Sequence, residues 1–171
     1  MIDATAGGAT ANSYVTLADA EGYFAARLGT EPWTTADAAT RESALRMATR
    51  ALERLRWPGL RQNAMQTLSW PRTGVAWATD GSVPQPVCDA QCEEALAWLT
   101  PALVRRRQLQ TAGVTAAQVS DARETYAPGD VGTLLSAEAR ALLAGWVTLG
   151  GCLVSDAVPD EHLLGSEGGV Q

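Results

Sequence analysis

Leu68-Ser69-Trp70-Pro71-Arg72, with Trp57-Pro58-Gly59 upstream and Val83-Pro84 downstream, is the stretch that divides this chain. Proline fixes its own φ and pushes the residue before it out of the helical region, so each Trp-Pro pair stops a helix and orients an indole. An amphipathic segment runs up to the first pair and another starts after Pro84. The part between them reads as a shaped connection between two helices, in which Thr73 to Val83, carrying Gly74, Trp77 and Asp80-Gly81, suits a turn or a small hairpin.

Working outward on the upstream side, residues 36 to about 55 contain no Gly or Pro. Ala44, Met47 or Ala48, Ala51, Leu52 and Leu55 recur there with the period of a packed helix. Thr34 or Thr35 is its expected cap, after a turn carrying Pro32 and Trp33. An earlier helix is predicted from Leu17 to Leu28, opened by Thr16 and Asp19 as an approximate capping box and stopped by Gly29. Leu17, Ala20, Phe24 and Leu28 share its packed face. Residues 1–15 read as a flexible N-terminal arm, with Asn12 to Val15 able to form a short extended stretch.

On the downstream side, Pro84 and Pro86 lead into a helix from Val87 to Gln110 with Val87, Cys92, Leu96, Leu99 and Leu103 as its buried stripe. Pro101 should kink that helix or split it at Trp98 to Thr100. Val114 to Tyr126 reads as a strand or an extended loop. Ser136 caps a last helix to about Leu149, and Gly150-Gly151 stops it. Residues 151–171 form a Gly-rich polar tail, ordered only when docked against something. The expected fold is therefore mainly α, a small bundle of about four helices over residues 16–150, with a short extended or β-hairpin insertion and flexible termini.

A chain of 171 residues buries a core without disulfides or metals. Its thirteen basic residues are all arginine, and against nineteen carboxylates they leave a net charge of −6. Such a chain grips phosphates only through a segregated basic patch. Two groups could supply one. Arg46, Arg50 and Arg54 form a ridge at i, i+4 and i+8, partly offset by Glu42 and Glu53. Arg105-Arg106-Arg107 lies near a helix C-terminus, where the backbone dipole favours cations. Each is either a solvated face or a contact for DNA, an acidic partner or a neighbouring subunit. Six tryptophans against one phenylalanine make indoles the large anchors. Trp57, Trp70, Pro71 and Arg72 are read as structural or interface residues, Trp70 being either a core anchor or an interface hot spot.

Cys88 and Cys92 fall on one helical face, which suits burial beside Leu96 and Leu99 better than zinc, since the only histidine is His162. Three cysteines, no secretory signal and no bilayer-length apolar run point to a reducing intracellular setting and no membrane. No Walker loop, G-x-G-x-x-G, H-E-x-x-H, G-x-S-x-G or CxxC pair is present. Glu93 and Glu94 are adjacent on a helix and point apart, a poor acid/base pair. The expectation is no enzyme, no cofactor and no metal.

Asn12-Ser13-Tyr14-Val15-Thr16 with Ala18-Asp19-Ala20 and Tyr23-Phe24, then Ala44-Leu45-Arg46-Met47-Ala48-Thr49, Trp57-Pro58-Gly59, Gln66-Thr67-Leu68-Ser69-Trp70-Pro71-Arg72 and Val83-Pro84, resemble the phage and prophage proteins often labelled DnaT-like single-stranded DNA-binding proteins. That family looks like the head-tail adaptors, or head-completion proteins, of tailed phages and gene transfer agents. The resemblance covers roughly residues 12 to 105 and fades beyond Arg107. It implies a structural virion protein at the neck, assembled in the bacterial host cytoplasm. Its copies would form a homo-oligomeric ring of about twelve, closed by head-to-tail contacts. A portal protein would sit above and a tail-side stopper or terminator below, with DNA passing through the channel without sequence-specific binding. The alternative is single-stranded DNA binding, with the arginines on phosphates and the indoles on bases.

Overall fold

Thr16 opens the first helix, as its capping box requires. Thr16 Oγ1 accepts from Asp19 N at 3.1 Å, and Asp19 Oδ2 accepts from Thr16 N at 3.0 Å. The computed structural model describes residues 1–112, 116–119, 122–125 and 135–147. In it α1 spans Leu17–Ala25, shorter than the predicted Leu17 to Leu28. Arg27 turns to Glu93 instead of continuing the helix, so Leu28 leaves the Ala20 and Phe24 face and is 93% exposed.

The expected turn around Pro32 and Trp33 is a short helix, α2 (Glu31–Thr35), and Trp33 is buried against Phe24 with ring centroids 4.5 Å apart. Ala36 is extended, at φ −72° and ψ 147°, which separates α2 from α3 (Ala38–Leu52). The cap of α3 is consequently Asp37 and neither Thr34 nor Thr35, its carboxylate accepting from Thr40 N at 2.7 Å. Ala44, Leu45, Ala48 and Leu52 are buried along α3, while Met47 faces outward.

Between the long helices, β1 (Leu60–Arg61) pairs antiparallel with β2 (Arg72–Thr73), Leu60 opposite Thr73 and Arg61 opposite Arg72. Gly59 makes the close approach that this pairing needs. Its φ is +73°, and a Cβ there would lie 2.4 Å from Thr73 O. Pro101 splits the next helix as predicted, giving α4 (Gln85–Leu99) and α5 (Pro101–Thr111) around an extended Thr100. Leu103 is a consequence of that split. Expected in the α4 stripe, it sits on the redirected helix and is 42% exposed.

Val114 to Tyr126 contains two strands, β3 (Ala116–Val119) and β4 (Ala122–Thr125), paired as an antiparallel hairpin. Ser136 does cap the last helix, α6 (Ala137–Leu142), accepting from Ala139 N at 3.3 Å. The helix ends earlier than Leu149 because Leu143 leaves helical geometry and Gly145 adopts φ +83°. The tail expected at 151–171 lies outside the described residues.

Helix α4 is the hub, packed against α1, α2, α3, α5 and α6. One core cluster, on its N-terminal half, gathers Tyr14, Leu52, Trp57, Leu68, Trp70, Val75, Val87 and Leu143. The other gathers Val15, Phe24, Trp33, Leu45, Ala48, Cys92 and Leu96. Within the first fifteen residues, expected as a flexible arm, Ile2, Ala11, Tyr14 and Val15 pack in these clusters. Ala11, Ser13, Tyr14 and Val15 are buried, and Asp3 N donates to Asn12 Oδ1 at 3.0 Å.

Candidate functional site

The sequence blocks around the Trp-Pro connection converge on one carboxylate. Glu53, the C-cap of α3, accepts from the hydroxyl of Tyr14, from Ser69 N at 3.0 Å and from Ser69 Oγ at 2.9 Å. Burial, and then the charge of Glu53, hold the Tyr14 phenol far above its ordinary pKa of 10.0. Arg72 ties the two Trp-Pro turns together. Its guanidinium donates to Pro58 O at 2.6 Å, Gly59 O at 2.6 Å, Trp57 O at 3.2 Å and Ser69 O at 3.1 Å. Burial, followed by the nearby Arg61, lowers the Arg72 pKa. Trp57, Trp70 and Pro71 are buried, with the two indoles edge to face at 5.6 Å. Gln91 on α4 completes the junction, accepting from Tyr14 N at 2.8 Å and donating to Ser13 Oγ at 2.7 Å.

This inward use of Glu53 determines what the surface offers. Glu53 was expected to offset the arginine ridge, but it faces Tyr14 and Ser69, so Arg50, Arg54 and Arg56 have no carboxylate partner among the described residues. Arg46 does have one, pairing with Glu42 at 3.4 Å. Arg61, on β1, is also exposed and unpartnered among the described residues. Leu60 and Met65 beside it are 75% and 73% exposed. The C-terminal end of α3 and the start of the connection thus carry exposed basic and apolar side chains, Arg50, Arg54, Arg56, Leu60, Arg61 and Met65. Arg56, Leu60, Arg61 and Met65 carry no periodic signal of their own. Nothing local in the sequence signals them, because the groups that turn Glu53 inward, Tyr14 and Ser69, are 39 and 16 residues away from it.

The run Arg105 to Arg107 divides. Arg105 and Arg106 are exposed, whereas Arg107 points inward, its Nη2 2.8 Å from Glu94 Oε1 and its guanidinium 4.3 Å over the Trp98 ring. The ion pair is close in distance without hydrogen-bond alignment, since Glu94 Oε1 and Arg107 Nη1 are both left without an aligned partner. Glu94 Oε2 accepts from Ser136 N at 2.8 Å, so one carboxylate joins α4, α5 and the start of α6. Burial raises the Glu94 pKa above its ordinary 4.5, against the lowering effect of Ser136 and Arg107. Its neighbour Glu93 turns the other way, into a bidentate pair with Arg27 and a hydrogen bond from Tyr23.

Cys92 is buried and Cys88 half-buried, and burial pushes the Cys88 thiol up to about 11. Among the described residues no group of three His, Cys, Asp or Glu side chains could hold a metal ion, and no helix is long and apolar enough to cross a membrane. Among the described residues the strongly exposed aromatic ring is Trp77, 42% exposed and set edge-on to Trp146 at 4.1 Å. Among the described residues the exposed features are cations and aliphatic side chains near the C-terminal end of α3, and a helix, α5, with no residue fully buried.

Residues 1–158 match the model of a protein family described as "Putative DnaT-like ssDNA binding protein". Neither the curated proteins nor the solved structures contain a match.

Proposed function

The chain belongs to that DnaT-like family, and within it we propose that this member is a virion assembly subunit, a head-tail adaptor whose copies form a ring beneath a portal and extend the DNA channel toward the tail. The observation that carries this reading is α5. An isolated helix shorter than about 12–15 residues is marginal in water, and α5 has eleven residues with none buried. The β3–β4 pair that follows is two-stranded among the described residues, an arrangement that is also marginal by itself. On this reading α5 gains its burial when a second subunit packs on it. In a ring of about twelve copies each subunit presents two different surfaces, since head-to-tail contact is what closes a cycle. An acidic chain suits a channel through which DNA must slide. Portal above, stopper or terminator below and a position at the neck complete the reading.

The family description favours a second reading, single-stranded DNA binding, and the exposed arginines from Arg50 to Arg61 are the feature of this chain that would serve it. Base stacking is the obstacle. Trp33, Trp57, Trp70, Tyr14 and Phe24 are all buried, which leaves Trp77, 42% exposed, as the one strongly exposed aromatic ring among the described residues. A gel-shift titration with an oligonucleotide at physiological salt separates the two. The adaptor reading expects no micromolar binding, and micromolar affinity with a steep salt slope would replace it by the DNA-binding one.

A further inference from the structure

We infer that Arg61 and Arg72, which face each other across the β1–β2 ladder, form a binding site for a phosphate group. The register sets Arg61 directly opposite Arg72. Gln62 N donates to Pro71 O at 3.2 Å, so Gln62 and Pro71 are a hydrogen-bonded pair, and the pair before them, Arg61 with Arg72, is a non-hydrogen-bonded one. At such a position the facing side chains leave the ladder on the same side and approach most closely, and like charges there are destabilising. A ladder with two residues in each strand therefore gives half of its pairing to a repulsive contact.

Among the described residues no carboxylate pairs with either guanidinium. Arg61 is exposed and unpartnered. Arg72 is half-buried, and its donors go to the carbonyls of Trp57, Pro58, Gly59 and Ser69, which fix the guanidinium and leave its charge in place. Glu53 is near enough to act on that charge, but its oxygens already accept from Tyr14 and Ser69. Burial, and then the repulsion from Arg61, hold the Arg72 pKa below its ordinary 12.5 against the weaker attraction of Glu53. An anion set between the two guanidinia turns one repulsion into two attractions. Phosphate fits best. A monoester carries about −1.5 to −2 charge at pH 7, which two guanidinia balance. Its oxygens diverge, so one can take the Nη1 N–H that Arg72 has left while others take the fork of Arg61, whereas a carboxylate is occupied by a single bidentate arginine. Arg72 is already held by its carbonyls, so the ordering cost of binding falls on Arg61. The inference stands on the ladder and on neither functional role.

The test is thermal denaturation of the full chain in chloride and in inorganic phosphate at equal pH and ionic strength. The parent should gain about 2–4 °C in about 20 mM phosphate, the shift that a site with a Kd of about 5 mM gives. Arg61→Thr, which removes the repulsion and keeps a strand-forming residue, should melt above the parent in chloride and lose the gain in phosphate. Arg61→Glu, which sets a fixed anion opposite Arg72, should also lose it. Arg54→Gln, a change at an exposed arginine just beyond α3, should keep the parent's response. The same series with a short oligothymidine identifies the source of the phosphate. A gain that Arg61→Thr abolishes assigns it to a strand, and a gain with inorganic phosphate alone assigns it to a free anion or a nucleotide. No gain in the parent, an equal gain in Arg61→Thr, or an equal loss in Arg54→Gln would overturn the site. So would an Arg61→Thr variant that melts below the parent in chloride. The gel shift described above decides the role of the chain and leaves this outcome unaffected.

Discussion

At the residue scale, Glu53 and Trp70 hold the connection in different ways, and two experiments distinguish them. Glu53 works by hydrogen bonding, satisfying Tyr14 and both polar groups of Ser69. Glu53→Ala strands the Ser69 N–H and the Tyr14 hydroxyl in a partly buried place. A buried unsatisfied group costs about 1–3 kcal/mol, so the urea midpoint should fall with little change in slope, and Glu53→Gln, which keeps an acceptor, should lose less. Trp70 works by packing. It is 1% exposed, and its indole N–H has no hydrogen-bond partner. Trp70→Ala should cost roughly 3–5 kcal/mol, as large aromatic truncations in cores do, whereas Trp70→Phe, which sacrifices no hydrogen bond, should cost distinctly less. Thermal melts of the two variants check this. If Trp70→Ala melts like the parent, the indole is not a core anchor.

At the element scale, the helix starts follow a pH rule whose sign is set by their caps. Asp19 and Asp37 have pKa values lowered from 3.8, Asp19 by the Thr16 hydroxyl and Asp37 by the Thr40 backbone N–H. A lowered folded pKa means that the native state binds fewer protons than the unfolded chain. Stability from these caps is therefore fully present above about pH 4 and is lost as pH falls through the folded values. The stability gap between the parent and Asp19→Asn/Asp37→Asn should be widest near neutrality and close below that range in pH-resolved denaturation. The latch on α5 is a separate matter. Arg107→Ala leaves Glu94 buried and unpaired, a loss of about 3–5 kcal/mol when one partner of a buried pair is removed, and Glu94→Gln/Arg107→Met should recover much of it. Hydrogen exchange should show the amides of α5 opening first. Much of this layer was legible in the sequence because caps and prolines act locally: Thr16 with Asp19, Ser136 and the break at Pro101 all stand where they were expected. What was not legible depends on distant partners. Arg27 reaching Glu93 cuts α1 short, and Asn12 to Val15 are fixed by Gln91, which is far away in sequence.

At the scale of the whole molecule, the same division separates the fold from the surface. A mainly helical body organised by the Trp-Pro connection could be read from periodicity, and the arginine ridge could be read from spacing. Which arginines remain available could not. That depends on Glu53 turning to Tyr14 and on Arg107 turning to Glu94, and no local pattern encodes either. The outcome, among the described residues, is a body in which Trp33, Trp57 and Trp70 and the acidic junctions at Glu53 and Glu94 are committed inward, while Leu103 on α5 and the arginines near the end of α3 stay exposed. The adaptor reading makes α5 a contact between subunits or with the portal, and Leu103, 42% exposed there, is the residue to change. A half-exposed leucine contributes little to the fold of one chain, so Leu103→Glu should melt within about 0.5 kcal/mol of the parent. In an interface the same substitution buries an unpaired carboxylate, which is strongly unfavourable. Co-expressed with its portal, the parent should sediment as a ring-bearing complex, and Leu103→Glu should remain a folded monomer. If the variant assembles normally, α5 is not the contact. If it melts well below the parent, α5 packs within its own chain and the reason for placing a subunit against it disappears.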